Sequence, residues 1–153
     1  MKKFLIALLL PLLFNSSLFC EDKTFISAGI VHQNIDDYSN TQALHLNYSY
    51  LNSDFWGIDL GYTQSFTKAK HQETKKRRNF SSAYVLASYL TPLSTSLAIK
   101  SKVGYMRNKS SDDGFGYGID FIVQITQNRG ISFGYLKMNT NINYFMINNV
   151  YKF

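Results

Sequence analysis

Three groups of side chains in this 153-residue sequence have the types and spacing that chemistry needs. The first is Gly130-Ile131-Ser132-Phe133-Gly134, which matches the G-x-S-x-G pattern of a hydrolase nucleophile. That pattern works on a strand-to-helix turn, with a later histidine to take the serine proton. The last histidine is His71 and Ser132 falls in a β-rich run, so no catalytic role is assigned. The second group is His32 and His45, which a hairpin centred between Tyr38 and Ser39 brings together. Two imidazoles without a third assured ligand are weak grounds for a metal site, and none is expected. Gly114-x-Gly116-x-Gly118 lacks the spacing of a phosphate loop and alternates with Phe115 and Tyr117, as one side of a strand does, so no cofactor is implied.

The third group is charge. Residues 67–79 carry Lys68, Lys70, Lys75, Lys76, Arg77 and Arg78 against the single acid Glu73. Outside this segment the chain after residue 20 has eight basic and nine acidic residues, so the excess positive charge lies here. Such a segment is either a contact for anionic groups or a solvated, mobile loop. A second set, Asp59, Lys100, Lys102 and Asp120, falls on the polar face of β-rich runs. A hairpin centred near Ser111 sets Lys102 opposite Asp120. The four read either as an ion path or as a salt-bridge network that satisfies buried charge.

The elements that position these groups start after a leader. Met1-Lys2-Lys3 is a basic start, residues 4–14 form an apolar run interrupted only by Pro11, and 15–20 end in Cys20 before Glu21-Asp22. The run is far shorter than the ~20 residues of a spanning helix and reads as a signal peptide over 1–20, with a single domain over 21–153. Phe19 is too bulky for lipoprotein processing, so Cys20 is read as a residue at the cleavage site. The lone cysteine rules out a disulfide scaffold, and 16% aromatic residues argue against disorder.

Beyond the leader the dominant signal has period two. Leu44, Leu46, Tyr48 and Tyr50 oppose Ala43, His45, Asn47 and Ser49; Trp56, Ile58, Leu60 and Tyr62 oppose Gly57, Asp59, Gly61 and Thr63. The same alternation recurs over 97–105, 115–125, 131–135 and 145–153, each a half-apolar strand. Runs 24–33 and 80–90 are β-rich with unassigned faces, which makes eight strands. Short turns near 51–54, 91–95 and 127–130 alternate with longer connections near 34–41, 67–79, 107–114 and 138–143. An even set of antiparallel strands with short turns at one end is the pattern of a transmembrane barrel.

The polar face is rich in Gly, Ala and Ser, which suits the crowded lumen of a narrow barrel, so the apolar face is placed outward. Aromatic girdles follow: Tyr50, Trp56, Tyr151 and Phe153 near the short turns, and Tyr62, Phe66, Phe80, Tyr105 and Phe115 near the longer loops.

With these features the chain resembles the small eight-stranded outer-membrane β-barrel proteins of Gram-negative bacteria, the class of the OmpA transmembrane domain and OmpX. The most specific feature is the end Val150-Tyr151-Lys152-Phe153. The resemblance implies an all-β, up-and-down, monomeric barrel in the outer membrane, with Tyr151 and Phe153 read by the barrel-assembly machinery. It implies contact with outer-membrane lipid, and it turns the basic loop toward lipopolysaccharide or anionic host glycans; nucleic acid does not fit that location. A non-enzymatic role in membrane integrity or adhesion is expected. The alternatives are a lipid-modifying outer-membrane enzyme and a soluble periplasmic barrel that carries a ligand, with its faces inverted.

Overall fold

The computed structural model describes residues 23–138 and 141–153. The signal-peptide segment 1–20 lies outside the described residues. Ten strands occur among them: β1 (Lys23–Ile35), β2 (Thr41–Leu51), β3 (Trp56–Ser65), β4 (Ala69–Lys70), β5 (Arg77–Arg78), β6 (Ser81–Pro92), β7 (Leu97–Asn108), β8 (Gly114–Thr126), β9 (Arg129–Met138) and β10 (Ile142–Lys152). Eight of them, in the order β1-β2-β3-β6-β7-β8-β9-β10, pair antiparallel with their chain neighbours, and β10 closes on β1. Closure leaves no strand edge unpaired, which a backbone in hydrocarbon requires. β4 and β5 form a separate small hairpin above the wall.

Alternating burial shows which face is inside. Leu44 and Val103 are 59% and 56% exposed, whereas Asp59 and Lys102 are 0% and 4% exposed. Apolar groups lie outward and charged groups inward, the reverse of a water-soluble barrel. This arrangement sets aside the inverted, ligand-carrying reading. The two strands without an assigned face also resolve: Val31, Gln33 and Ile35 of β1 and Tyr84, Leu86 and Ser88 of β6 point into the lumen.

Several local expectations are corrected. Strands run farther than the turn signals indicated at three loop-end connections, which shrink to 36–40, 109–113 and 139–141, whereas the fourth, expected over 67–79, spans 66–80 and alone is long. The first hairpin pairs Gln33 with Thr41 and turns about Asp37, whose φ is 63°. His32 therefore pairs with Gln42 and faces outward, while His45 pairs with Gly29 and is buried. The two imidazoles do not meet. The β7–β8 hairpin sets Lys100, not Lys102, opposite Asp120. Phe80 is not a girdle residue: it is 1% exposed and packs in the lumen.

Candidate functional site

The lumen has two halves of different chemistry. Toward the loop end Val31, Ile35, Phe80, Tyr84, Met106 and Tyr144 join one apolar cluster that includes Ala69 of β4, with Tyr38 packed against it. Several of its polar groups are partnered. Gln33 accepts from Thr41 Oγ1 at 2.7 Å and from Ser65 Oγ at 2.6 Å, and its Nε2 donates to the Phe80 carbonyl at 3.3 Å. Ser82 Oγ lies 2.9 Å from Tyr144 OH. An apolar plug thus fills the lumen beneath the loops.

Below the plug comes a charged layer. Lys100 Nζ lies 2.7 Å from Asp59 Oδ2, and Lys102 Nζ lies 2.6 Å from Asp120 Oδ2. The Lys102–Asp120 contact is a diagonal one, because the register puts Gly118 opposite Lys102. Lys100 also donates to Ser49 Oγ at 3.0 Å, and Ser88 Oγ donates to Asp59 Oδ1 at 3.2 Å. Buried charge is tolerated when it is paired and hydrogen-bonded, as here. The sequence set Asp59, Lys100, Lys102 and Asp120 is brought together as two ion pairs on β3, β7 and β8. Beneath them the turn end opens into a cavity of about 230 Å³ lined by Phe25, Ser49, Leu51, Lys100, Asp120 and Ser132.

A hydrogen-bond chain not visible in the sequence runs across the same layer. Asn148 Nδ2 donates to Ser132 Oγ at 3.2 Å, which leaves Asn148 Oδ1 to accept from His45 Nδ1 at 2.7 Å. The proton of a neutral His45 is then on Nδ1, and Nε2 accepts from Tyr84 OH at 2.5 Å. Ser132 is thus a strand residue of β9 with its hydroxyl turned to an amide, not to an imidazole. Gly134, the last residue of the G-x-S-x-G run, is directly opposite Asp120. A Cβ there would come within 2.4 Å of Asp120 Oδ1, so the glycine makes room for the carboxylate.

At the loop end the basic segment is structured. β4 pairs with β5, Tyr38 bridges to His71, and the Ser39 amide donates to the Lys70 carbonyl at 2.9 Å. The Lys70 amide returns a bond to Ser39 Oγ at 2.9 Å, and the Gln72 amide donates to the Asp37 carbonyl at 2.9 Å. The Tyr38 ring meets His71 and Phe80 edge-on at 4.8 and 5.0 Å. The hairpin is tied to the 36–40 loop and, through Ala69, to the plug. Lys68, Lys70, Lys75, Lys76, Arg77 and Arg78 are all exposed, and none forms an ion pair among the described residues.

The outer wall carries paired aromatics. Trp56 packs on Tyr89 at 4.8 Å and Tyr151 on Phe153 at 4.9 Å toward the turn end; Tyr105 packs on Phe115 at 5.9 Å toward the loop end, where Tyr62 and Phe66 are also exposed. Tyr50 is half-buried on its strand near the turn end. The Phe153 amide donates to the Thr24 carbonyl at 3.0 Å, so the last residue takes part in the β1–β10 seam.

A closed eight-stranded barrel with an apolar belt, terminal aromatics and a plugged polar lumen defines a small membrane-spanning β-barrel of outer-membrane type. Solved structures of that type superpose on it. Ail, the attachment invasion locus protein of Yersinia pestis, shares 18% identity over 88% of this chain and 100% of its own, with a TM-score of 0.63, and has also been solved with the heparin analogue sucrose octasulfate. The outer membrane protein OprG from Pseudomonas aeruginosa shares 12% identity over 88% and 97% with a TM-score of 0.65, and the Neisserial surface protein A 15% over 86% and 97% with a TM-score of 0.55. No protein-family model and no curated protein sequence matches the chain.

Proposed function

We propose that this chain is a non-enzymatic outer-membrane barrel that presents residues 67–79 at the cell surface as a contact for anionic groups, either lipopolysaccharide phosphates or acidic glycans. One observation carries the reading: six exposed cations without ion-pair partners among the described residues sit on a hairpin anchored over a plugged barrel. A pre-ordered cationic surface binds without the entropy cost of ordering a loop. That Ail has been solved with a heparin analogue is compatible with an anionic partner for this fold. The barrel itself supplies anchorage, as its plug and ion pairs are those of a rigid support and not of an open pore. In this reading residues 1–20 direct export, and Tyr151 and Phe153 serve recognition by the barrel-assembly machinery.

The test is adhesion of cells that display the barrel to anionic surfaces across a salt series. Replacing Lys75, Lys76, Arg77 and Arg78 by Gln should weaken adhesion and flatten its salt dependence. Unchanged adhesion refutes the role.

A further inference from the structure

The six cations of the hairpin do not share one face. In the β4–β5 ladder Lys70 is directly opposite Arg77, and Ala69 is opposite Arg78. Directly opposed residues share a face and successive residues alternate, so Lys70 and Arg77 share one face, and continuing the alternation one residue before β4 adds Lys68 to it. The other face is that of Ala69, which is fully buried in the plug, and of Arg78 opposite it, which is exposed. His71, two residues on, is half-buried against Tyr38, and its amide donates to the Lys76 carbonyl at 2.8 Å. The hairpin therefore rests on the barrel by its Ala69 face and turns Lys68, Lys70 and Arg77 away from it. Lys75 is engaged locally: its φ is 57°, and its Nζ donates to the Gln72 carbonyl at 2.8 Å.

Like charges directly opposite one another destabilise a ladder. Lys70 and Arg77 are held in this arrangement with no acid in an ion pair with either among the described residues. An oxyanion between them would cancel the repulsion and accept from both. Lys68, exposed and one residue before β4 begins, adds a third positive charge two residues from Lys70, up to roughly 7 Å away if the chain is extended there, a spacing that suits a polymer with repeated anionic groups more than a single ion.

We propose that Lys68, Lys70 and Arg77 form one oxyanion-binding face whose occupant is an extended sulfated polysaccharide arriving from the medium. The proposal rests on the surface-contact reading above and narrows it. The direction of the face favours this occupant over the phosphates of neighbouring lipid, because the hairpin turns it away from the barrel on which Ala69 rests.

The experiment uses the folded barrel in detergent micelles and immobilised dextran sulfate, with unsulfated dextran as the control. Two variants lose equal charge: Lys68→Gln, Lys70→Gln, Arg77→Gln in one, and Lys75→Gln, Lys76→Gln, Arg78→Gln in the other. A heat-dependent shift in SDS mobility confirms that each is folded. The first should lose at least about tenfold in affinity, as expected when charge-assisted hydrogen bonds are removed, and the second less than about threefold. Equal losses overturn the face assignment while the surface-contact reading stands. Binding of the unsubstituted barrel to lipid A vesicles but not to dextran sulfate overturns the polysaccharide as occupant. Binding to neither overturns both readings.

Discussion

Lys100 and Asp59 meet at 2.7 Å although their strands, β7 and β3, are not neighbours; the pair spans the intervening β6 from inside the lumen. Both side chains are nearly excluded from solvent, at 8% and 0% exposure. Removing one partner leaves a buried charge uncompensated, a loss of about 3–5 kcal/mol. Asp59→Asn should therefore lower the urea midpoint of the folded barrel markedly. The double variant Asp59→Leu, Lys100→Met, which removes both charges, should recover most of the loss. A midpoint unchanged in Asp59→Asn would show that the pair does not hold these strands.

Gly61 lies directly opposite Tyr84, whose ring covers it. A Cβ on residue 61 would come within 1.9 Å of the Tyr84 Cζ atom. Gly61→Val should displace the ring, break the Tyr84–His45 hydrogen bond and cost about 1–3 kcal/mol. Equilibrium unfolding followed by tyrosine fluorescence measures it, and a cost no larger than that of Ala87→Val on the outer wall would contradict the packing.

The anchorage of the basic hairpin predicts its protease sensitivity. Tyr38→Ala removes two edge-on ring contacts, each contributing about 0.5–1.5 kcal/mol. Cleavage by trypsin at Lys75, Lys76, Arg77 and Arg78 should accelerate about tenfold, since in this regime the rate follows the population of the open form. Equal rates in the two proteins would mean that the hairpin opens without its anchor.

The plug predicts the electrical behaviour. Phe80, Tyr84, Met106, Leu136 and Tyr144 are each no more than 3% exposed and fill the loop-end half of the lumen. A planar bilayer holding the barrel should show no steady conductance steps, because a small barrel with a filled interior has no continuous water path. Stable single-channel steps would sink this account of the lumen.

Much of the wall was legible in the sequence because each half-apolar strand writes its two faces in alternate residues. The exceptions, 24–33 and 80–90, have a specific cause. Among their inward residues Val31 of the first and Tyr84 and Leu86 of the second belong to the apolar plug, so large apolar groups occur on both faces and alternation loses its contrast. Phe80 was misplaced for the same reason, since an aromatic near a loop can face lipid or a buried plug. The charged layer was legible as a set of inward residues, but its partners were not. A one-residue error in the centre of the β7–β8 hairpin shifts the pairing by two and changes which residues stand opposite, and long lysine side chains then reach diagonally or over a strand.

Residue alternation and the spacing of turns determined an eight-stranded barrel, the small residues of its polar face put the apolar groups outward, and the concentration of basic residues in one segment was plain from the sequence. These are properties of order along the chain, and a period of two needs no knowledge of neighbours. Only the tertiary structure decided that His32 and His45 face opposite ways, that Lys100 pairs with Asp59, and that the basic segment is a hairpin resting on Ala69 with its cations divided between two faces. Each of these depends on register and ring closure, where a shift of one residue turns a side chain from the lumen to the outer wall.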